Sequence, residues 1–152
     1  MAEAAREPQK ILVPVDLSTR SELGVSYAAM LARLCGAELV LVTNVNLPER
    51  AALEELAQNE VLSVDEAADA ALDQLAFRLA PDVAVSTLAT FADFPAEGIL
   101  AAAETQEVDL IVIASHGRAG MRRWLLGSVA EKLVRAADVP VVVVPARDSG
   151  GG

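Results

Sequence analysis

Four short, nearly unbroken apolar runs and one alternating run punctuate this chain, with stretches of helical period between them. Lys10 to Val15 (KILVPV), Leu39 to Val45, Leu110 to Ala114 and Pro140 to Val144 (PVVVV) are apolar at nearly every position. Parallel strands read this way, the first three of them as strands covered on both faces. Val83 to Thr90 instead sets Val83, Val85, Thr87 and Ala89 against smaller or polar neighbours, the half-exposed pattern of an edge strand. Leu23, Tyr27, Met30, Leu31 and Leu34 recur at helical spacing, and Gly36 stands where a C-terminal cap belongs. From Val64, a stripe of Ala68, Ala71, Leu72, Leu75 and Leu79 predicts a second helix that stops at Pro81. Asp93 and Pro95 start a third, with Ile99, Leu100 and Ala103 facing inward. Ser128-Val129-Ala130-Glu131 has the spacing of a capping box, Ser at N-cap and Glu at N3, and opens a fourth. Leu47 to Asn59 stays ambiguous: helical in propensity, but started by Pro48 and crowded with Glu.

Strands alternating with helices predict an open, mostly parallel, doubly wound α/β sheet with helices on both faces. If the first strand neighbours the fourth, the strand order reverses between them and a crevice opens at their carboxyl ends. Asp16 then stands opposite His116 and Gly117. The all-valine last strand would be a sticky edge if left bare, so the expectation is a homodimer pairing through residues 141–144. At 152 residues the chain reads as one domain, 10–146, between a disordered tail at 1–9 and a flexible one at 147–152.

Composition narrows the function. A formal charge of −10 argues against nucleic acid and against an anionic membrane as partners. Aromatics make up only 3%, too few for a stacking surface. The single cysteine, Cys35, lies among apolar residues and reads as a small hydrophobe in a reducing compartment. No signal peptide or membrane span is visible, so the expected location is the cytoplasm.

Against this acidic background one stretch stands out. Asp109 to Asp138 runs strand, glycine-punctuated loop, helix start, a layout whose backbone N–H groups and helix dipole favour an anion. No acidic residue falls between Asp109 and Glu131, whereas Arg118, Arg122 and Arg123 do. They raise the local potential for a polyphosphate. Trp124, Leu125 and Leu126 read as apolar anchors of the loop. Gly117, nine residues, then Gly127-Ser128 is neither a P-loop, which needs GK[ST], nor GxGxxG. No nucleophile–base pair, metal-ligand cluster or paired carboxylate is visible, which points to binding and not turnover.

Ile113-Ala114-Ser115-His116-Gly117-Arg118-Ala119-Gly120, Leu125 to Glu131 and Pro140 to Val144 resemble the universal stress protein family. Ile11 to Asp16 and Pro95 to Leu100 match it too, so the resemblance runs from Lys10 to Pro145. It implies an adenine nucleotide alpha hydrolase-like, Rossmann-like fold of strand order 3-2-1-4-5 and dimers joined through the last strand. One branch binds ATP through G-x2-G-x9-G-[S/T]; here the first glycine is Ala114, a methyl that could crowd ribose or phosphates. Carried over, Pro14, Val15 and Asp16 line the adenosine side, with the Asp16 carboxylate near the base or ribose hydroxyls. Asn44 offers backbone groups to the adenine edge, although the family usually has an apolar residue there. Ile113, Ala114, His116 and Gly117 border ribose and phosphates, beside Arg118, and Gly127, Ser128 and Val129 hold the phosphates. The ligand so implied is ATP or AMP, with Mg. The expected function is a regulatory stress-response module, with at most slow ATP hydrolysis. Its rival is a homodimeric interaction module whose pocket is degenerate, and an adenylate-handling enzyme ranks last.

Overall fold

A computed structural model describes residues 4–45, 51, 55, 63–116 and 126–146. All five expected strands are present: β1 Lys10–Pro14, β2 Glu38–Asn44, β3 Val85–Thr90, β4 Leu110–His116 and β5 Val141–Ala146. They form one sheet of order β3-β2-β1-β4-β5, every pair parallel. The alternating run does lie at an edge, as β3, although it pairs only from Val85. The valine-rich run is the opposite edge, β5. The four expected helices follow the strands, α1 Ser21–Cys35, α2 Val64–Leu79, α3 Pro95–Thr105 and α4 Ser128–Ala136, and Ala51 and Glu55 of the ambiguous stretch are helical too. Residues 47–59, 51 and 55 excepted, and 147–152 lie outside the described residues. Among the described residues, no helix is long and apolar enough to cross a membrane.

Alternation along each strand divides the core into two layers. Ile11, Val13, Leu39, Leu41, Leu110 and Val112 pack against Val25, Ala28, Ala29 and Ala32 of α1 and Leu72 and Leu75 of α2. Leu12, Val40, Val42, Ile111 and Ile113 face Ala96, Ile99 and Ala102 of α3 and Ala130 and Leu133 of α4. Most of these strand residues are fully buried. Each large one contributes about 1.5–3 kcal/mol by leaving water. The sheet is fixed in place at its foot as well. The Asp109 carboxylate accepts from the amides of Gln9 (2.9 and 3.2 Å) and Lys10 (3.2 Å), tying the entry to β1 to the start of β4.

Two local expectations need correction. The buried face of α1 is not the large-residue stripe. It is Ser21, Gly24, Val25, Ala28, Ala29 and Ala32, while Leu23, Tyr27, Met30 and Leu34 are exposed. The reason is distance: a Cβ on Gly24 would already lie 3.1 Å from the Ala114 amide nitrogen, so only small side chains let α1 approach the sheet this closely. Gly36 does end α1, at φ +70°, with its amide donating to the Ala32 carbonyl.

The second correction concerns capping. Ser128 is the first residue inside α4, not its cap; Gly127 is the N-cap, with no side-chain cap bond. Without the Ser hydroxyl outside the first turn, Ser128 and Glu131 cannot form the reciprocal pair. A capping box exists instead at α2. Ser63 Oγ accepts from the Glu66 amide (3.2 Å) and Glu66 Oε2 accepts from the Ser63 amide (2.8 Å).

Candidate functional site

Because β1 lies between β2 and β4, the chain order reverses at the β1–β4 boundary. A cleft opens there, at the carboxyl ends of the strands. Its cavity volume is about 310 Å³, at the lower end of small-molecule pockets. Pro14, Val15 and Asp16 at the end of β1, Asn44 at the end of β2, and Ile113 and Ala114 of β4 line it. Gly127, Ser128 and Val129 close it from the start of α4. Of the twelve predicted site residues, these nine are brought together; the His116 side chain, Gly117 and Arg118 lie outside the described residues, as do Arg122 and Arg123.

Four lining residues escaped the sequence reading: Ser21, Pro95, Ile99 and Ala130. Ser21 and Pro95 are the first residues of α1 and α3, and Ala130 is in the first turn of α4. Helices that follow strands in such a sheet start at its carboxyl edge, so the topology rule alone could have found these. Ile99 was read as core, and it is also buried. The result is that three helix N-termini border one cleft. Each carries roughly half a positive charge at its N-terminal end. Within an acidic chain, the fold itself makes this hollow attractive to an anion.

At α4, Glu131 is the residue whose amide reaches the Gly127 carbonyl (2.9 Å). Ser128, Val129 and Ala130 precede it, so the helix supplies no acceptor for their amides. The Gly127 amide is different. It donates to the buried Ser115 hydroxyl at 3.1 Å. Gly127 sits at φ −61°, ψ 155°, and among the described residues, its chain neighbours aside, no atom lies within 4 Å of where a Cβ would stand.

Asp16 turns the chain as well as facing the cleft. Its Oδ1 accepts from the Ser18 amide (2.9 Å) and the Ser18 hydroxyl, while Ser21 Oγ donates to the Ser18 carbonyl (2.8 Å). Between them Leu17 takes φ +63°, a left-handed conformation that costs a non-glycine residue energy. This turn sets the Asp16 carboxylate and the start of α1 on the same rim.

The Asn44 side chain is engaged by its own protein. Its Nδ2 donates to the Ala92 carbonyl (3.1 Å), and its Oδ1 accepts from Thr90 Oγ1 (2.8 Å) and the Ala92 amide (3.0 Å). The Asn44 side chain therefore clamps the turn between β3 and α3. The Ala114 methyl lies 3.6 Å from where a Gly24 Cβ would stand, toward α1. Among the described residues, no group of three or more His, Cys, Asp or Glu is placed to hold a metal.

Comparison with known proteins agrees with this architecture. The model of the universal stress protein family matches residues 7–145. Universal stress protein MJ0531 of Methanocaldococcus jannaschii is 31% identical over 139 residues, covering 90% of this chain and 81% of that protein. The solved structure of hypothetical protein MJ0577 superposes with a TM-score of 0.69 at 27% identity, covering 95% of this chain and all (100%) of that one. A universal stress protein solved in complex with cAMP gives a TM-score of 0.66 at 20% identity, over 93% of this chain and 100% of that one. At that identity the likeness is one of fold.

Proposed function

The chain belongs to the universal stress protein family, and from that premise we propose that it binds an adenine nucleotide, ATP or AMP, in the β1–β4 cleft. It acts by occupancy and not by turnover. The observation that carries this reading is the first turn of α4. Three amides without helical acceptors and the Ser128 hydroxyl border a cavity whose walls, Val15, Ile99 and Ile113, are apolar. An apolar slot ending in amide donors suits a flat base at one end and phosphates at the other. Gly127 supports the same reading. Neither its backbone nor the described residues around it require glycine, and among those residues the space beside it is open to a ligand.

The roles divide by strand. Pro14 and Val15 pack the adenosine side, and Asp16 accepts hydrogen bonds from ribose hydroxyls. Asn44 holds the rim through Thr90 and Ala92 and offers backbone groups to the base. Ile113 and Ala114 form the floor, His116, Gly117 and Arg118 flank the phosphates, and Ser128 and Val129 receive them. Magnesium would enter with the phosphates and find Asp16 as the nearest cleft carboxylate among the described residues. The two departures that favour a degenerate pocket do not fill it: the Asn44 amide is spent on the β3–α3 turn, and the Ala114 methyl is turned to α1. The cAMP complex of a structural relative is further support that this fold accommodates an adenine nucleotide.

Copies of the chain pair through the β5 edge. Val141 to Val144 are only half-buried there, and among the described residues β5 pairs with β4 alone. Calorimetry of ligand-stripped protein against ATP and AMP tests the main proposal. A saturable heat at up to millimolar nucleotide is expected, and its absence overturns the reading. Light scattering behind a sizing column tests the dimer.

A further inference from the structure

We propose that Ser115 is a positioning residue for the anion-receiving end of the cleft, its hydroxyl latching the Gly127 amide so that the following amides of α4 face the ligand ready-aligned. This rests on the nucleotide reading of the cleft. Ser115 is 1% exposed, one of three buried polar residues among those described. A hydroxyl so placed costs stability unless it is bonded. It sits inside the β4–β5 ladder, opposite Pro145, so the backbone beneath it is rigid. By strand alternation it projects to the side of Ile111 and Ile113, which is the side of α4. Its partner is the amide of the α4 N-cap, twelve positions on, at 3.1 Å.

That amide is the one donor at this helix start that the cleft does not need. Left alone, it would compete for an incoming anion or draw water between strand and helix. Bonded to Ser115, it fixes how far α4 stands from β4 and which way its first turn is rotated. Ser128, Val129 and Ala130 then present their amides without reorganisation when charge arrives, which is the advantage of a preformed site. The Ser115 hydroxyl bonds the start of α4, whereas the adenosine side is built by the ends of β1 and β2. The latch therefore acts on phosphate recognition and leaves base and ribose recognition alone.

The experiment compares ATP and adenosine binding by calorimetry in the wild type, Ser115→Ala, and the isosteric pair Ser115→Thr and Ser115→Val. Loss of one aligned hydrogen bond predicts about tenfold weaker ATP binding in the Ala and Val variants, with adenosine within about twofold of wild type. Threonine should restore most of the ATP affinity relative to valine. Amide hydrogen exchange of ligand-free protein should show Gly127 protected in the wild type and Thr variant and fast in the others. Undiminished ATP binding in Ser115→Ala and Ser115→Val, or equal losses for ATP and adenosine, overturns the proposal. Should the wild type bind neither ligand, the nucleotide reading falls, and the exchange of Gly127 decides the latch separately: equal protection in the Thr and Val variants sinks it.

Discussion

Gly24 of α1 lies directly over Ala114 of β4: a Cβ on the glycine would lie 3.1 Å from the alanine amide nitrogen and 3.6 Å from its methyl. The helix is thus seated directly on the strand that floors the cleft. Gly24→Ala gains about 1 kcal/mol of helix propensity. It also meets backbone that cannot move aside, and overpacking of this kind costs about 1–3 kcal/mol. The second effect wins, so a net loss of about 1 kcal/mol is expected in urea denaturation. Ala114→Gly, which restores the first glycine of the ATP-binding pattern, should leave nucleotide affinity within about twofold, because the methyl it removes faces α1. A tenfold gain in calorimetry would show that the methyl had been crowding the ligand.

A tighter relation holds Asn44 to Gly98. A Cβ on Gly98 would stand 2.6 Å from Asn44 Oδ1 and 2.9 Å from Thr90 Oγ1, closer than real atoms come. Both oxygens are engaged in the hydrogen bonds that shape the β3–α3 turn. Gly98→Ala must therefore either displace α3 or break that clamp, at a cost of about 2–3 kcal/mol. Asn44→Ala loses the clamp but removes the nearest of these atoms, and Thr90 Oγ1, released from its bond to Asn44, can rotate away. In its background Gly98→Ala should cost less than about 1 kcal/mol, a coupling that a double-mutant cycle in urea reads directly. Additive losses would mean that the two residues do not share this contact.

These contacts also show what the sequence could and could not convey. Nearly unbroken apolar runs such as KILVPV mark strands buried on both faces, and alternation marked the β3 edge, while the full strand order was what the family resemblance implied. The buried face of α1 did not follow, because a hydrophobicity scale ranks Leu23 and Met30 above Ala28 and Gly24. Packing against the sheet ranks them by size. The Ser-x-x-Glu pattern occurs at both Ser63 and Ser128, and only the helix start decides which serine lies outside the first turn. At the cleft, motif positions identified residues on β1, β4 and α4. Ser21 belongs to no motif, and Pro95 and Ile99, though inside a stretch that matches the family, were read as helix start and core; all three enter the cleft through topology.

Acid should destabilise the fold through three carboxylates. Hydrogen bonds from the Ser63 backbone amide and hydroxyl hold Glu66 below its ordinary 4.5. Arg78 lowers Glu22, and Arg33 lowers Asp82 from its ordinary 3.8. A carboxylate with a depressed folded-state value binds fewer protons folded than unfolded, so stability rises with pH in that window. The contribution is whole above the ordinary values and is lost as pH falls through the folded ones. All three groups are solvent-facing, so each loss is small. Urea midpoints should be flat from about pH 7 to 5 and fall toward pH 3. Glu66→Gln should begin lower at neutral pH and fall less steeply, and an unchanged slope would count against the α2 capping box as a source of the pH dependence. Ser63→Ala removes the other half of the box and should cost about 1 kcal/mol at neutral pH.

Gly127 separates what the fold needs from what a ligand needs. At φ −61°, ψ 155° any residue is comfortable, and among the described residues beyond its chain neighbours nothing lies within 4 Å of the missing Cβ. Gly127→Ala should therefore leave stability unchanged or raise it by about 0.4–1 kcal/mol, through the lower entropy of the unfolded chain. The Ser115 bond survives, since it uses the backbone amide. The added methyl occupies space on the cleft wall beside the first turn of α4, where phosphates would approach. ATP affinity should drop by tenfold or more, about 1.4 kcal/mol or above, with adenosine little affected. A glycine kept only for chain flexibility predicts the reverse pair of results: lost stability with ATP binding intact. Thermal denaturation and calorimetry on the one variant distinguish the two, because fold and ligand make opposite demands on the same atom.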